Sequence, residues 1–156
     1  MNLYSLLEKS AILSEVEAES KEELLHALID SLENQVSKEQ LDDARNAVFQ
    51  REKIMSTGVG KQLAIPHGKV ASIDRNIAAF AILKEPIEFN SIDNEPVKMV
   101  FLLIGPEKSN SAHIKLLSRI SRLMNSGSFR ETLSECVGED QIYDAFYNEE
   151  IRYFGQ

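Results

Sequence analysis

The chain has 156 residues, 17 basic and 25 acidic, for a formal charge of −8, and 43% of its residues are hydrophobic. That length suits one domain, residues 1–156, able to bury roughly 68–70% of the surface its unfolded form exposes. The acidic balance argues against general binding of nucleic-acid phosphates. One cysteine, Cys136, excludes an internal disulfide framework. No apolar run approaches the ~18 residues of a membrane span, and the opening Met-Asn-Leu-Tyr-Ser-Leu-Leu-Glu lacks the basic start of a signal peptide, so the expected location is the cytoplasm, with no membrane insertion.

In chain order, Asn2 is positioned to cap a short helix carrying Leu3, Leu6 and Leu7 on one face, followed by a short strand at Ala11-Ile12-Leu13. Ser20 with Glu23, and Ser37 with Gln40, have capping-box spacing. They predict helices over about 21–34 and 38–52, packed through Leu24, Leu25, Leu28, Ile29 and Leu32, and through Leu41, Ala44, Val48 and Phe49. Ser56-Thr57-Gly58-Val59-Gly60 reads as a loop, because neither glycine favours a helix or strand. The apolar runs 76–83 and 98–104 read as strands, closed by Lys84-Glu85-Pro86 and Gly105-Pro106, with the second central. Asp93-Asn94 marks a turn between them. A helix from about Ala112 follows, with Gly127 as its stop; Ser128 then caps a helix over 129–136, and a last helix covers about 140–147. Helices before and after a group of strands predict an α/β fold, a mixed sheet sandwiched between helices.

The chemistry centres on the histidines. His26 falls about 200° round its helix from Leu24, away from the apolar stripe, and reads as solvated. His67 is held between Pro66, which fixes φ, and Gly68, which frees it. His113 lies just before the first turn of its helix, where the positive end of the dipole would keep its imidazole neutral and therefore nucleophilic. If the end of the central strand meets the loop before His67, the two rings converge. Arg51 offers a planar fork suited to two phosphate oxygens. Ser56 and Thr57 add hydroxyls, while Gly58 and Gly60 let backbone N–H groups approach an anion. A Walker loop is excluded, since Gly60-Lys61 is followed by Gln62. The residues around the histidines supply no zinc set, and no G-x-S-x-G elbow is present. Cys136 reads as a buried, inert thiol on a helix.

Arg51-Glu52, Ser56-Thr57-Gly58-Val59-Gly60 and Ala64-Ile65-Pro66-His67-Gly68 resemble the signature of the mannitol/fructose-type enzyme IIA domains of the bacterial phosphoenolpyruvate-dependent phosphotransferase system. The resemblance continues through Ile92-Asp93-Asn94-Glu95-Pro96-Val97 and His113-Ile114-Lys115-Leu116-Leu117. It implies that His67 accepts a phosphoryl group from the small carrier HPr or a nitrogen-branch homologue. It also implies that His113 is the neighbouring active-site histidine, that Arg51 is the charge partner, and that no metal or organic cofactor is needed. Many members carry Gly where this chain has Gln62, so the loop backbone there is expected to differ. Two roles remain open. The free-standing length and the match of STGVGKQLAIPHGK and IDNEPV to the nitrogen branch favour a regulator controlling other proteins by its phosphorylation state. The alternative is a fructose-type component that passes the group to a IIB domain.

Overall fold

A computed structural model describes residues 2–155; Met1 and Gln156, the ends of the expected domain range, lie outside the described residues. In chain order the elements are a 3-10 turn Tyr4–Leu6, β1 (Leu7–Val16), α1 (Lys21–Asp30), α2 (Lys38–Ile54), β2 (Gly58–Gly60), β3 (Leu63–Ala64), β4 (His67–Val70), β5 (Ile77–Ile87), β6 (Val97–Pro106), α3 (Asn110–Met124), α4 (Gly127–Ser134) and α5 (Gly138–Phe154). The strands form a sheet in the order β1-β5-β6-β3-β2, with β4 also paired to β6. It is mixed: β1 runs parallel to β5, β5 antiparallel to β6, and both β3 and β4 parallel to β6.

Period-two alternation in β5 and β6 builds two apolar layers. Ala79, Ala81, Leu83, Val100, Leu102 and Ile104 pack with Leu24, Leu25, Leu28, Ala44 and Val48 of α1 and α2. Ala78, Phe80, Ile82, Phe101 and Leu103 face the other way, against Leu116, Ile120, Phe129, Leu133, Ile142 and Phe146 of α3–α5. The sandwich expected from the sequence is therefore present, with β6 central. Phe146 closes the second layer, edge-on to Phe80, Phe101 and Phe129 at centroid distances of 5.0, 5.6 and 5.2 Å. Such pairs each add about 0.5–1.5 kcal/mol beyond area burial. Among the described residues no helix is long and apolar enough to cross a membrane.

Several local expectations change. Leu3, Leu6 and Leu7 imitate a helical stripe, but only one 3-10 turn forms, and the strand starts at Leu7. Asn2 does not cap it: its Nδ2 donates to the Tyr4 hydroxyl, and its Oδ1 accepts from Arg119. The buried Glu150 carboxylate instead accepts from the backbone N–H of Leu3 (2.6 Å) and Tyr4 (2.9 Å), and from Nε of Arg119 (2.7 Å). Both capping serines work as expected, with the full reciprocal box at Ser37/Gln40. However, α1 stops at Asp30, and α2 runs on to Ile54.

β5 continues through Pro86, tolerated because the register with β6 slips between Ile82 and Ile87. Gly127 opens α4 instead of ending α3; its cap is Ser126, whose hydroxyl oxygen accepts from Phe129 N, and not Ser128. α5 spans far more than 140–147. Gly58–Gly60 is a short strand rather than a loop, joined to β3 through Lys61 and Gln62, with φ of 58° and 64°. Two consecutive left-handed residues make a tight hairpin turn of the kind Asn-Gly usually fills.

Candidate functional site

β4 begins at His67 and pairs in parallel with the last part of β6, placing His67 opposite Leu103. The Pro66 carbonyl accepts from Leu103 N (3.1 Å), so the approach to the histidine is fixed by the sheet. The end of the central strand and the His67 segment therefore do meet. Nδ1 of His67 lies 2.9 Å from the Ile65 carbonyl oxygen. A carbonyl can only accept, so Nδ1 carries the hydrogen and Nε2 keeps its lone pair. Burial, opposed by that hydrogen bond and assisted by the Arg51 charge, holds the ring's pKa below its ordinary value.

His113 reaches the same place from the opposite wall. Its ring centroid is 5.6 Å from that of His67, with the planes inclined at 55°. α3 starts at Asn110, so His113 lies within the first turn and not before it; its N–H already donates to the Ser109 carbonyl. The ring is only 3% exposed, and neither nitrogen has a hydrogen-bond partner among the described residues. Its pKa is lowered to about 4, first by burial and then by the charges of His67 and Lys69. A ring with that pKa is neutral at pH 7, through burial and neighbouring charges where the sequence pointed to the helix end. Gly105 makes room for the ring: a Cβ there would lie 2.9 Å from His113 Nδ1.

Arg51, in the last turn of α2, donates through Nη1 to the Met55 carbonyl (2.8 Å). It borders two depressions that share His67 and Leu117. One, of about 820 Å³, lies between α2 and α3 and includes Lys69, Asn110 and His113. The other, of about 590 Å³, runs along Ser56, Thr57, Gly58 and Ile92. The loop residues are committed to one another. Ser56 Oγ donates to the Phe89 carbonyl and accepts from Gly58 N. Thr57 gives its N–H and hydroxyl to the two oxygens of Glu52, at 2.7 and 2.6 Å. Gly58 is needed for packing, since a Cβ would meet Ser91 Oγ at 2.3 Å; Gly60, at φ 97°, lies against Asp93 and lines neither depression. As an anion cradle, this stretch is thus already occupied by its own bonds, whereas Arg51, His67 and His113 converge.

The sequence matches the family described as "Phosphoenolpyruvate-dependent sugar phosphotransferase system, EIIA 2" over residues 5–149. The chain belongs to this family. It is 35% identical over 147 residues to a nitrogen regulatory protein of Bradyrhizobium diazoefficiens, covering 92% of this chain and 93% of the relative. It is 32% identical over 144 residues to the fructose-specific EIIABC component of Bacillus subtilis, covering 92% of this chain but 23% of that longer relative. The crystal structure of the nitrogen regulatory protein IIA-Ntr from Neisseria meningitidis superimposes with a TM-score of 0.86 at 30% identity, covering 92% of this chain and 98% of that one.

Within this EIIA chain, sequence reasoning assigned no role to two side chains near the site. Glu52, buried, binds Thr57 and forms an ion pair with Lys21 at 2.8 Å, joining α1, α2 and the loop. A glutamate beside a helical arginine reads as a surface charge; only the tertiary pairing shows otherwise. Lys69 donates to Asn110 Oδ1 at 2.7 Å. His26 is exposed as expected, but not simply solvated: its Nδ1 accepts from Arg45, itself paired with Asp30, and its ring stacks on Phe49. Cys136 is half-buried, beyond the end of α4, and burial raises its thiol pKa.

The buried His113 has a measurable signature. Unfolded chain binds its proton near the ordinary 6.5, while the folded ring resists until about 4. The unfolded state therefore holds more protons in that window, and the stabilisation, complete above 6.5, is lost as pH falls through it. Between about pH 8 and about pH 5 the parent should lose about 2 kcal/mol more than His113→Gln in urea unfolding. Parallel pH profiles would show that the folded ring protonates normally.

Proposed function

We propose that His67 Nε2 accepts a phosphoryl group from an HPr-like phosphohistidine protein and later releases it to a second protein. The observation that carries this reading is the Nδ1–Ile65 hydrogen bond, which leaves Nε2 as the nucleophile. The lone pair on Nε2 forms the new P–N bond as the donor's P–N bond breaks. The donor ring, protonated on its other nitrogen, leaves as neutral imidazole with that electron pair. The Nδ1 proton stays on His67, against the Ile65 carbonyl, so no further base is required. Exchange between two imidazoles is close to thermoneutral, and the protein's task is alignment and charge stabilisation. His113, neutral and apposed, supports the His67 ring without adding a like charge. Arg51 holds the phosphoryl oxygens.

Ile54, Met55, Val59, Ile92 and Ile114 surround these groups; Ile54 is 79% and Ile92 81% exposed. Apolar side chains left uncovered around a reactive group suit a partner docking face. Donor and recipient would use it in turn.

The likeness to nitrogen regulatory proteins in sequence and structure supports a regulatory recipient, whose binding follows the phosphorylation state. Similarity to a fructose-specific component favours the second reading, onward transfer to a IIB domain. Incubation with phosphoenolpyruvate, enzyme I, HPr and candidate IIB proteins, with and without sugar, separates them. Label retained on the chain and absent from sugar is the expected result; label on sugar selects the transport role. In the same assay Arg51→Ala should slow acceptance by about 10- to 100-fold with an unchanged unfolding midpoint. An unaltered rate would remove Arg51 from the site.

A further inference from the structure

We propose that Lys69 is a second cation of the phosphoryl site, binding the transferred group opposite Arg51. This rests on the reading of His67 as acceptor. His67 and Lys69 are two residues apart on β4, and side chains at that spacing leave a strand on the same face. Lys69 is paired with Gly105, the residue whose missing Cβ admits the His113 ring. Its ammonium donates to Oδ1 of Asn110, three residues before His113 in the first turn of α3. Lys69 therefore stands where β4, β6 and α3 meet, beside both imidazoles and in the cleft they share with Arg51. Its positive charge contributes to lowering the pKa of each ring.

The charge balance favours this assignment. The chain carries −8 overall, and a phosphoryl group would add about −1.5 to −2 more. Around His67 the cleft nevertheless carries Arg51, Lys53 and Lys69 against one acidic residue, Glu107, with Glu52 buried behind and already paired to Lys21. Asn110 offers Lys69 only a neutral acceptor. A phosphoryl oxygen offers a charged one, which adds the attraction of opposite charges to the hydrogen bond. The ammonium has three donors on a flexible stem, so it can exchange one acceptor for the other without displacing β4.

The test uses the full chain as parent, Lys69→Gln and Lys69→Arg, phosphorylated with phosphoenolpyruvate, enzyme I and HPr. Lys69→Gln should accept the group about tenfold more slowly, and Lys69→Arg should recover to within about threefold of the parent. Unfolding midpoints should be unchanged, and the NMR titrations of His67 and His113 should both move upward in Lys69→Gln. A parental rate in Lys69→Gln, or a Lys69→Arg rate as low as that of Lys69→Gln, would overturn the assignment while leaving His67 as acceptor. A parent that takes no label on His67 would overturn both.

Discussion

Replacing His67 with alanine is expected to abolish acid-labile phosphorylation by a phosphorylated HPr-like donor. The loss should exceed about 10³-fold, because a nucleophile is being removed rather than a supporting charge. No other imidazole in the chain can substitute. His113 is almost wholly buried, so an incoming protein cannot reach its nitrogens. His26 sits on α1 with its Nδ1 engaged by Arg45. The bond to be measured is a phosphoramidate, so label should survive alkali and disappear in acid. His113→Ala, by contrast, should retain part of the acceptance, since it alters the packing around the acceptor and leaves Nε2 of His67 in place. Stoichiometric labelling of the His67 variant would refute the assignment outright.

The second large effect is expected at Glu52. Its carboxylate takes two hydrogen bonds from Thr57 and the ammonium of Lys21, whose side chain is itself largely buried. Lys21 also donates to the Phe89 carbonyl and lies over the Phe89 ring, 4.4 Å from its centroid. Glu52→Ala leaves a cation and two Thr57 donors without their acceptor, a loss of about 3–5 kcal/mol for a buried pair. For a chain of this size that lowers the thermal midpoint by roughly 10 °C. Glu52→Gln should fall between, because the amide oxygen still accepts while Lys21 loses its counter-charge. The companion change Lys21→Met should recover part of the loss in the Glu52→Gln background. Calorimetry on the single and double variants checks this; an unchanged midpoint in Glu52→Ala would show that the network does not secure the loop.

What the sequence made legible follows from which signals are local. The caps at Ser20 and Ser37 and the strands over 76–83 and 98–104 rest on short-range patterns. Those patterns agree with the final packing. Most of the failures lie where a distant partner decides, the shift of the α4 cap from Ser128 to Ser126 being a local one. Leu3, Leu6 and Leu7 have helical spacing, yet from Leu7 the chain is drawn into the sheet beside β5, opposite Ala78. The β2–β3 hairpin lacked its usual Asn-Gly signal because Lys61 and Gln62 are held in the left-handed region by outside contacts. Asp93 accepts from Lys61 N, and the Gln62 carbonyl accepts from Lys98 N and Met99 N. Ser56 and Thr57 looked available to a phosphoryl group because nothing nearby in the chain announces that Phe89 and Glu52 already use their hydroxyls. Among the residues proposed to act, the histidine pair and Arg51 could be read from motif and spacing, but the closeness of Lys69 to both rings depends on how β4 registers with β6.

The Glu150 carboxylate also has a consequence for the order in which the molecule can be completed. It fastens backbone at residue 3 from a position 147 residues downstream. A polypeptide emerging from the ribosome with its beginning first must leave those early amides to water until residue 150 has been made. Long-range closures of this kind come late and slowly. Residues 67 and 113 are both made before residue 150, so the tie at residue 3 is among the last contacts that the growing chain can form.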